Sequence, residues 1–331
     1  MPWQNTRDAY RIWVSEIMLQ QTQVAAVIGY YGRFLARFPD VRALAGATGD
    51  EVMGHWSGLG YYSRARNMHR AAKIIVDELG GEFPGTSREI AQLPGIGRST
   101  AAAIACFAFG ERAAILDGNV KRVFARHFGI DEYPGLPKVE KALWIRAEGL
   151  LPRHGVEAYT QGLMDLGATL CSRSRPRCTE CPLGEKCDAL RTGRVASLPK
   201  AKPRKPRPRR ECVMLVVLHA NAVVVERRPP VGIWGGLWCL PQADDAAAAA
   251  KLALGLGARW AGREPLAAVE HDFTHYHLSI KPFVVSMSNQ PDTAPMAVQA
   301  SSRKWLALDE VGDAGLPAPV KKLLKGLARI G

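Results

Sequence analysis

No apolar run in this chain reaches the roughly 20 residues that a membrane-spanning helix needs, so a helical span is excluded. The first ten residues, MPWQNTRDAY, lack the hydrophobic core of a signal peptide, and a cytoplasmic location is the expectation. Strand-like alternation is scarce before residue 210, which makes the first 190 residues all-α by pattern. Glutamate is absent from residues 237–263. What is present suits a globular protein of two domains: 331 residues, 47% of them hydrophobic. In such a setting the seven cysteines read as ligands or free thiols rather than disulfides.

The net charge of +13 points to a polyanionic partner. Its placement weakens that argument. Residues 191–210 carry nine Lys or Arg and no acid, whereas residues 211–331 hold 12 basic and 11 acidic residues. A solvated basic linker produces the same total. Prolines 199, 203, 206 and 208 keep residues 191–210 extended, and their charge suits a nucleic-acid backbone without sequence preference.

Residues 93–123 organise the first part. Pro94-Gly95-Ile96-Gly97 punctuates a tight turn that calls on glycine for positive φ. Ser99 and Thr100 then open a run too apolar for a surface helix. Free N–H groups at its start favour an anion such as a phosphate, although an ordinary helix–helix turn would look the same. Asp117, before Gly118-Asn119, is an N-cap on spacing alone. Other helices are expected near 8–23, 24–36, 50–56, 64–79, 87–93, 137–151 and 156–170. On the first of these, Glu16 lies at the edge of an apolar face, where desolvation raises a carboxyl pKa and suits it to general-acid work; a boundary glutamate paired with an arginine is the plainer reading. Gly60-Tyr61-Tyr62, followed by Arg64 and Arg66, suits a wedge into stacked bases or, equally, core tyrosines.

Cys171, Cys178, Cys181 and Cys187 form C-x6-C-x2-C-x5-C. One short knuckle with two long arms suits a [4Fe–4S] cluster better than structural zinc, which usually shows two short knuckles. After residue 211 the pattern turns to strands at 212–219, 222–226, 238–241 and 278–285, with helices at 244–256 and 320–329: an α+β domain. Gly232-Ile233-Trp234-Gly235-Gly236-Leu237-Trp238 resembles the entry to a Nudix fold. The missing glutamates leave no way to hold the divalent metal that Nudix hydrolysis uses.

Several motifs together resemble the adenine DNA glycosylases of the MutY type, within the helix-hairpin-helix and endonuclease III superfamily. They are Pro2-Trp3-Gln4, residues 15–24 (SEIMLQQTQV), residues 58–66 (GLGYYSRAR), residues 93–100 (LPGIGRST), Leu116-Asp117-Gly118-Asn119-Val120, the cysteine loop and the MutT-like end. The resemblance implies an all-α helix-hairpin-helix glycosylase domain at 1–190, with its [4Fe–4S] cluster loop at 171–187. A linker at 191–210 and a C-terminal α+β Nudix (MutT)-like recognition domain at 211–331 complete it. It implies a monomer that acts, away from any membrane, on double-stranded DNA containing A:8-oxoG or A:G mispairs. The base is flipped out of the stack. Glu16 would protonate the adenine, Asp117 stabilise the cationic sugar, and Asn119 orient Asp117 or the water, following the two-carboxylate logic of glycosidases. Gly95, Gly97 and Ser99 would meet the DNA backbone. Gln21, Thr22, Leu59 and Tyr61 would surround 8-oxoguanine; Trp3, Gln4 and Gln161 would line the adenine pocket. Phe273-Thr274-His275 stands where the family has Phe-Ser-His. Family members carry roughly twenty residues before the Pro-Trp motif; here Pro2-Trp3 follow Met1.

Ser99 separates this reading from its nearest rival. Endonuclease III-like lyases carry lysine there, the amine that forms a Schiff base, and serine cannot. A non-catalytic iron–sulfur DNA-binding protein and a Nudix phosphohydrolase are further alternatives, opposed by the two carboxylates and by the missing glutamates.

Overall fold

The computed structural model describes residues 1–202, 206–260, 264–273, 275–287 and 302–327. Contacts divide the chain into two compact units, Met1–Gly46 with Asn67–Arg204 and Ala47–Arg66 with Lys205–Gly331.

Helices dominate the first part of the chain: α1 (Ala9–Leu19), α2 (Val24–Arg37), α3 (Val41–Gly46), α4 (Gly49–Trp56), α5 (Ser63–Glu78), α6 (Ser87–Ile90), α7 (Arg98–Phe109), α8 (Gly118–His127), α9 (Pro137–Gly149), α10 (Val156–Asp165) and α11 (Asp188–Arg191). Asp8 caps α1 by accepting from the Arg11 N–H, a bond of about 1 kcal/mol. The central helix of the first unit is α7. Ala101, Ala102, Ala103 and Ala105 are buried along it, and small side chains let α1 and α10 approach closely. Gly110, at φ +70°, ends it in the left-handed conformation glycine favours. A second cluster, built on Val120, Phe124, Leu143 and Leu163, joins α8, α9 and α10. The chain leaves α10 through a π-helical turn, Leu166–Leu170, that delivers Cys171.

The second unit is built on a sheet of eight strands among the described residues: β1 (Arg209–His219), β2 (Ala222–Arg227), β3 (Trp238–Cys239), β4 (Gln242–Ala243), β5 (Ala258–Arg259), β6 (Val269–Asp272), β7 (His277–Met287) and β8 (Arg303–Ala307). Cys212 to Val217 is buried without alternation, as a central strand covered on both faces requires. It runs parallel to β7, from Arg209 opposite His277 to Leu218 opposite Ser286. Two helices, α12 (Ala246–Gly255) and α13 (Ala318–Leu327), complete the unit. The sequence of α12, AAAAAKLALG, carries no carboxylate.

Contacts group two segments with neighbours outside their expected stretch. The segment 47–66, read as part of a 1–190 domain, folds with the C-terminal strands. Val52, Met53 and Trp56 are buried, and a Cβ on Gly315 would lie 3.3 Å from that of Met53. The Tyr62 hydroxyl donates to the Leu316 carbonyl at 3.5 Å, and Lys321 donates to Ser57 Oγ at 3.0 Å. The linker is also shorter than 191–210. Arg194 pairs with Asp188 at 2.6 Å, Lys200 reaches Asp131 at 3.2 Å, and Leu198 is buried under a hydrogen bond from Arg126 to its carbonyl.

Candidate active site

Glu16 projects from α1 between buried Ser15 and Ile17. The side chain is partly exposed, yet burial of the carboxyl, followed by the nearby charge of Asp117, pushes its pKa up to about 8. The two carboxylates therefore share one electrostatic environment. Asp117 sits at the N-cap of α8 and accepts from the Val120 N–H at 2.8 Å. The plain reading of it as a cap holds, and the cap fixes its carboxylate. Desolvation raises its pKa, while hydrogen bonds from Val120 and Asn119 and the charges of Arg122 and Lys121 oppose the rise. One acid is kept protonated near neutral pH and its neighbour is supplied with donors and cations.

The hairpin supplies the scaffold. Gly95, at φ +80°, would drive a Cβ to within 2.7 Å of Asn67 Cβ, so glycine is required. Gly97, expected to need positive φ as well, is extended at φ −87° with open space where a Cβ would stand. Its role is room and a bare N-cap: no side chain caps the first N–H groups of α7. Ser99 Oγ accepts from the Leu116 N–H at 2.9 Å, and Gln20 Nε2 donates to Thr100 Oγ1 at 3.3 Å, tying α1 to α7.

Asn119 does not hydrogen-bond to Asp117 through its amide. Its Oδ1 accepts from Arg122 at 2.9 Å, and its backbone N–H is the group that reaches Asp117. Arg122 also donates to the carbonyls of Gly167 at 2.6 Å and Cys171 at 2.8 Å. A Cβ on Gly167 would fall 2.7 Å from that of Asn119. Arg122 and Gly167 were not singled out from sequence; the i+3 spacing of Arg122 from Asn119 was the available signal.

Cys171, Cys178, Cys181 and Cys187 line one apolar cavity, with Val123, Leu166, Leu170 and His127 among its walls. Among the described residues no three His, Cys, Asp or Glu side chains gather around one point as a lone metal ion needs. Burial raises the Cys178 thiol, and Cys171, Cys187 and Cys181 raise it further, so the four sulfurs lie within electrostatic reach of one another. Arg126, 3% exposed, donates to Cys171 Sγ at 3.3 Å and to the carbonyls of Ser172 at 2.8 Å and Arg173 at 3.1 Å. Four thiols, a dry wall and a buried cation fit a cluster that carries net negative charge with its thiolates.

The remaining candidate residues are dispersed. Trp3 packs edge-on against Tyr31, with ring centroids 5.3 Å apart. Gln4 accepts from the N-terminus. Gln21 turns the chain at φ +56°, Thr22 Oγ1 donates to the Gln20 carbonyl, and Gln161 donates to Asp165 at 2.8 Å. In the second unit Leu59 is buried, whereas Tyr61 is 44% exposed at φ +47°. Arg64 holds their loop by donating to the carbonyls of Leu59 and Gly60, both at 3.2 Å. Phe273 and His275 flank one another, with ring centroids 6.1 Å apart; Thr274 lies outside the described residues.

Comparison with known proteins accounts for both units. Residues 14–148 match the HhH-GPD superfamily of base excision DNA repair proteins, and residues 212–326 match the NUDIX domain family. A structure titled as a thermostable thymine-DNA glycosylase is 33% identical and covers 58% of this chain and 88% of its own, with a TM-score of 0.53. The adenine DNA glycosylase of Homo sapiens is 33% identical over 96% of this chain and 68% of its own. That of Buchnera aphidicola (subspecies Schizaphis graminum, strain Sg) is 34% identical over 98% of this chain and 93% of its own. Similarity of 33–34% sustained over 96–98% of this chain makes it a member of the adenine DNA glycosylase family.

Proposed function

We propose that this adenine DNA glycosylase hydrolyses the N-glycosidic bond of adenine mispaired with 8-oxoguanine or guanine, in double-stranded DNA, as a monofunctional enzyme. The observation that carries the reading is a carboxyl held at a pKa of about 8 beside a second carboxylate. Protonated Glu16 gives its proton to N7 of the extruded adenine. The C1′–N9 bond then breaks, and its electron pair leaves with the base. The sugar becomes cationic, and Asp117, held by its cap bond, stabilises it. Glu16, now a carboxylate, takes a proton from the water that adds to C1′ and is restored to its starting form. Asn119, fixed by Arg122, keeps its backbone N–H on Asp117. Ser99 offers no amine, so this position forms no Schiff base with the sugar and little strand cleavage is expected.

Cys171, Cys178, Cys181 and Cys187 would hold a [4Fe–4S] cluster in the cavity they line. When bound, such a cluster supplies a rigid redox-active anchor for the loop bearing Arg173, Arg175 and Arg177. The basic loop and the uncapped start of α7 take DNA phosphates. The enzyme acts as a monomer, in the compartment that holds the DNA.

The test is single-turnover release of adenine from an A:8-oxoG duplex, with strand scission developed by alkali. Glu16→Gln is expected to lower base release by about 10²–10⁴-fold while duplex binding persists. Unchanged release overturns the assignment.

A further inference from the structure

Two loops that resemblance places around the opposite base lie in the same unit. The first, residues 58–61, carries Leu59 and Tyr61. The second follows β6 and begins at Phe273. A set of contacts joins them, beginning with the Arg64 N–H on the Tyr61 carbonyl at 2.9 Å and the Arg66 N–H on the Tyr62 carbonyl at 3.2 Å. Arg66, one helical turn into α5, donates to the Gly235 carbonyl, and its Cδ lies 3.3 Å from where a Cβ on Gly236 would stand. Gly235 itself has no room for a side chain, since a Cβ would lie 2.7 Å from the Pro230 carbonyl oxygen. Trp234, next in line, is 9% exposed and sits at φ +55°. A bulky residue in the left-handed region is costly, and here the strain aims the indole at the second loop. Its ring lies 5.4 Å from that of Phe273 and 5.8 Å from that of His271. Phe273 is also held by Tyr276, with ring centroids 4.8 Å apart, and by a backbone bond to the Tyr276 carbonyl at 2.9 Å.

We propose that Arg66 and Trp234 are positioning residues that lock the loop of Leu59 and Tyr61 to Phe273. The two readers of the base opposite adenine then act as one rigid piece. Neither residue needs to touch DNA. Each holds a reader through the other's neighbour, and discrimination between 8-oxoguanine and guanine depends on both being held. This inference rests on the A:8-oxoG reading given above.

The experiment uses the full chain and single-turnover rates on matched A:8-oxoG and A:G duplexes. Wild type is compared with Trp234→Ala, Trp234→Phe, Arg66→Met and the double variant Trp234→Ala/Arg66→Met. Wild type is expected to favour A:8-oxoG. Trp234→Ala and Arg66→Met should each reduce that preference roughly tenfold and leave the A:G rate within about twofold, and Trp234→Phe should restore most of it. The double variant should lose no more than the worse single variant, because residues in one contact chain are not additive. A residue that merely stabilised the unit would lower both rates together. Preference unchanged in both single variants, or strictly additive losses in the double, overturns the relay. A wild-type enzyme without preference instead overturns the A:8-oxoG reading beneath it.

Discussion

Ser99 Oγ accepts the backbone N–H of Leu116 at 2.9 Å, one residue ahead of Asp117. The start of the hairpin helix is thereby fastened to the main chain that carries the Asp117 carboxylate. Removing this bond with Ser99→Ala is expected to cost about 1 kcal/mol in catalysis. That is a fall of roughly fivefold in the single-turnover rate, with a smaller change in duplex affinity. Borohydride trapping of wild type should give little covalent adduct, and a strong adduct on thymine-glycol DNA would place the enzyme among the lyases.

The acid side chain sets a pH limit. In the proposed reaction Glu16 acts as the acid, and burial pushes its pKa up to about 8, so the rate should hold through neutral pH and fall as pH rises through 8. The same shift has a cost in stability. A carboxyl whose folded pKa exceeds its unfolded value binds more protons when folded, so stability falls from the unfolded pKa upward as pH increases. Glu16→Gln cannot ionise. Its melting temperature should exceed that of wild type by a margin that widens between pH 6 and 8, while activity is lost. Equal melting temperatures across that range would contradict the assignment.

Arg122 acts on the low-pH side. Its charge helps to hold down an Asp117 pKa already raised by burial. Arg122→Met should move the acidic limb of the rate profile to higher pH, because the proposed reaction uses an ionised Asp117 to stabilise the sugar. It also removes the donors to Asn119 Oδ1 and the Gly167 carbonyl, while Arg126 still reaches the Cys171 carbonyl at 3.5 Å. A rate profile whose acidic limb stays in place would show that the charge does not reach Asp117.

Metal content decides between the two readings of the cysteine loop. Protein purified without oxygen should carry about four irons per chain, and Cys181→Ser should lose most of them. Zinc at one atom per chain would overturn the cluster assignment. Arg126→Ala, which strips the donors held by Leu198, Ser172 and Arg173, should lower the melting temperature whether or not iron is present.

Much of this was legible in the sequence because the signals were local. The apolar run after Ser99 became α7, Asp117 caps its helix, and Glu16 lies where the apolar face of α1 placed it. The short helix Val41–Gly46 and the strands Val269–Asp272 and Arg303–Ala307 were not foreseen. The last two mix charged and apolar residues and take their structure from β7 and β2. Arg122, Arg126 and Gly167 escaped notice for a related reason. Their importance lies in backbone carbonyls and close approaches far along the chain, and no pattern of residue types announces those. Gly97 was assigned a strained turn from its type alone, whereas the structure uses it for space.

The folding of Ala47–Arg66 with strands far downstream bears on how such proteins can be recombined. Tyr62 meets Leu316 across 254 positions, and Asp50 pairs with Arg227 at 2.5 Å. A chimera spliced near residue 205 would seat Met53 and Tyr62 on a foreign surface. Grafting a new C-terminal half onto this scaffold calls for transplanting residues 47–66 along with it, so inheritance here follows the seam of packing and not the order of the gene.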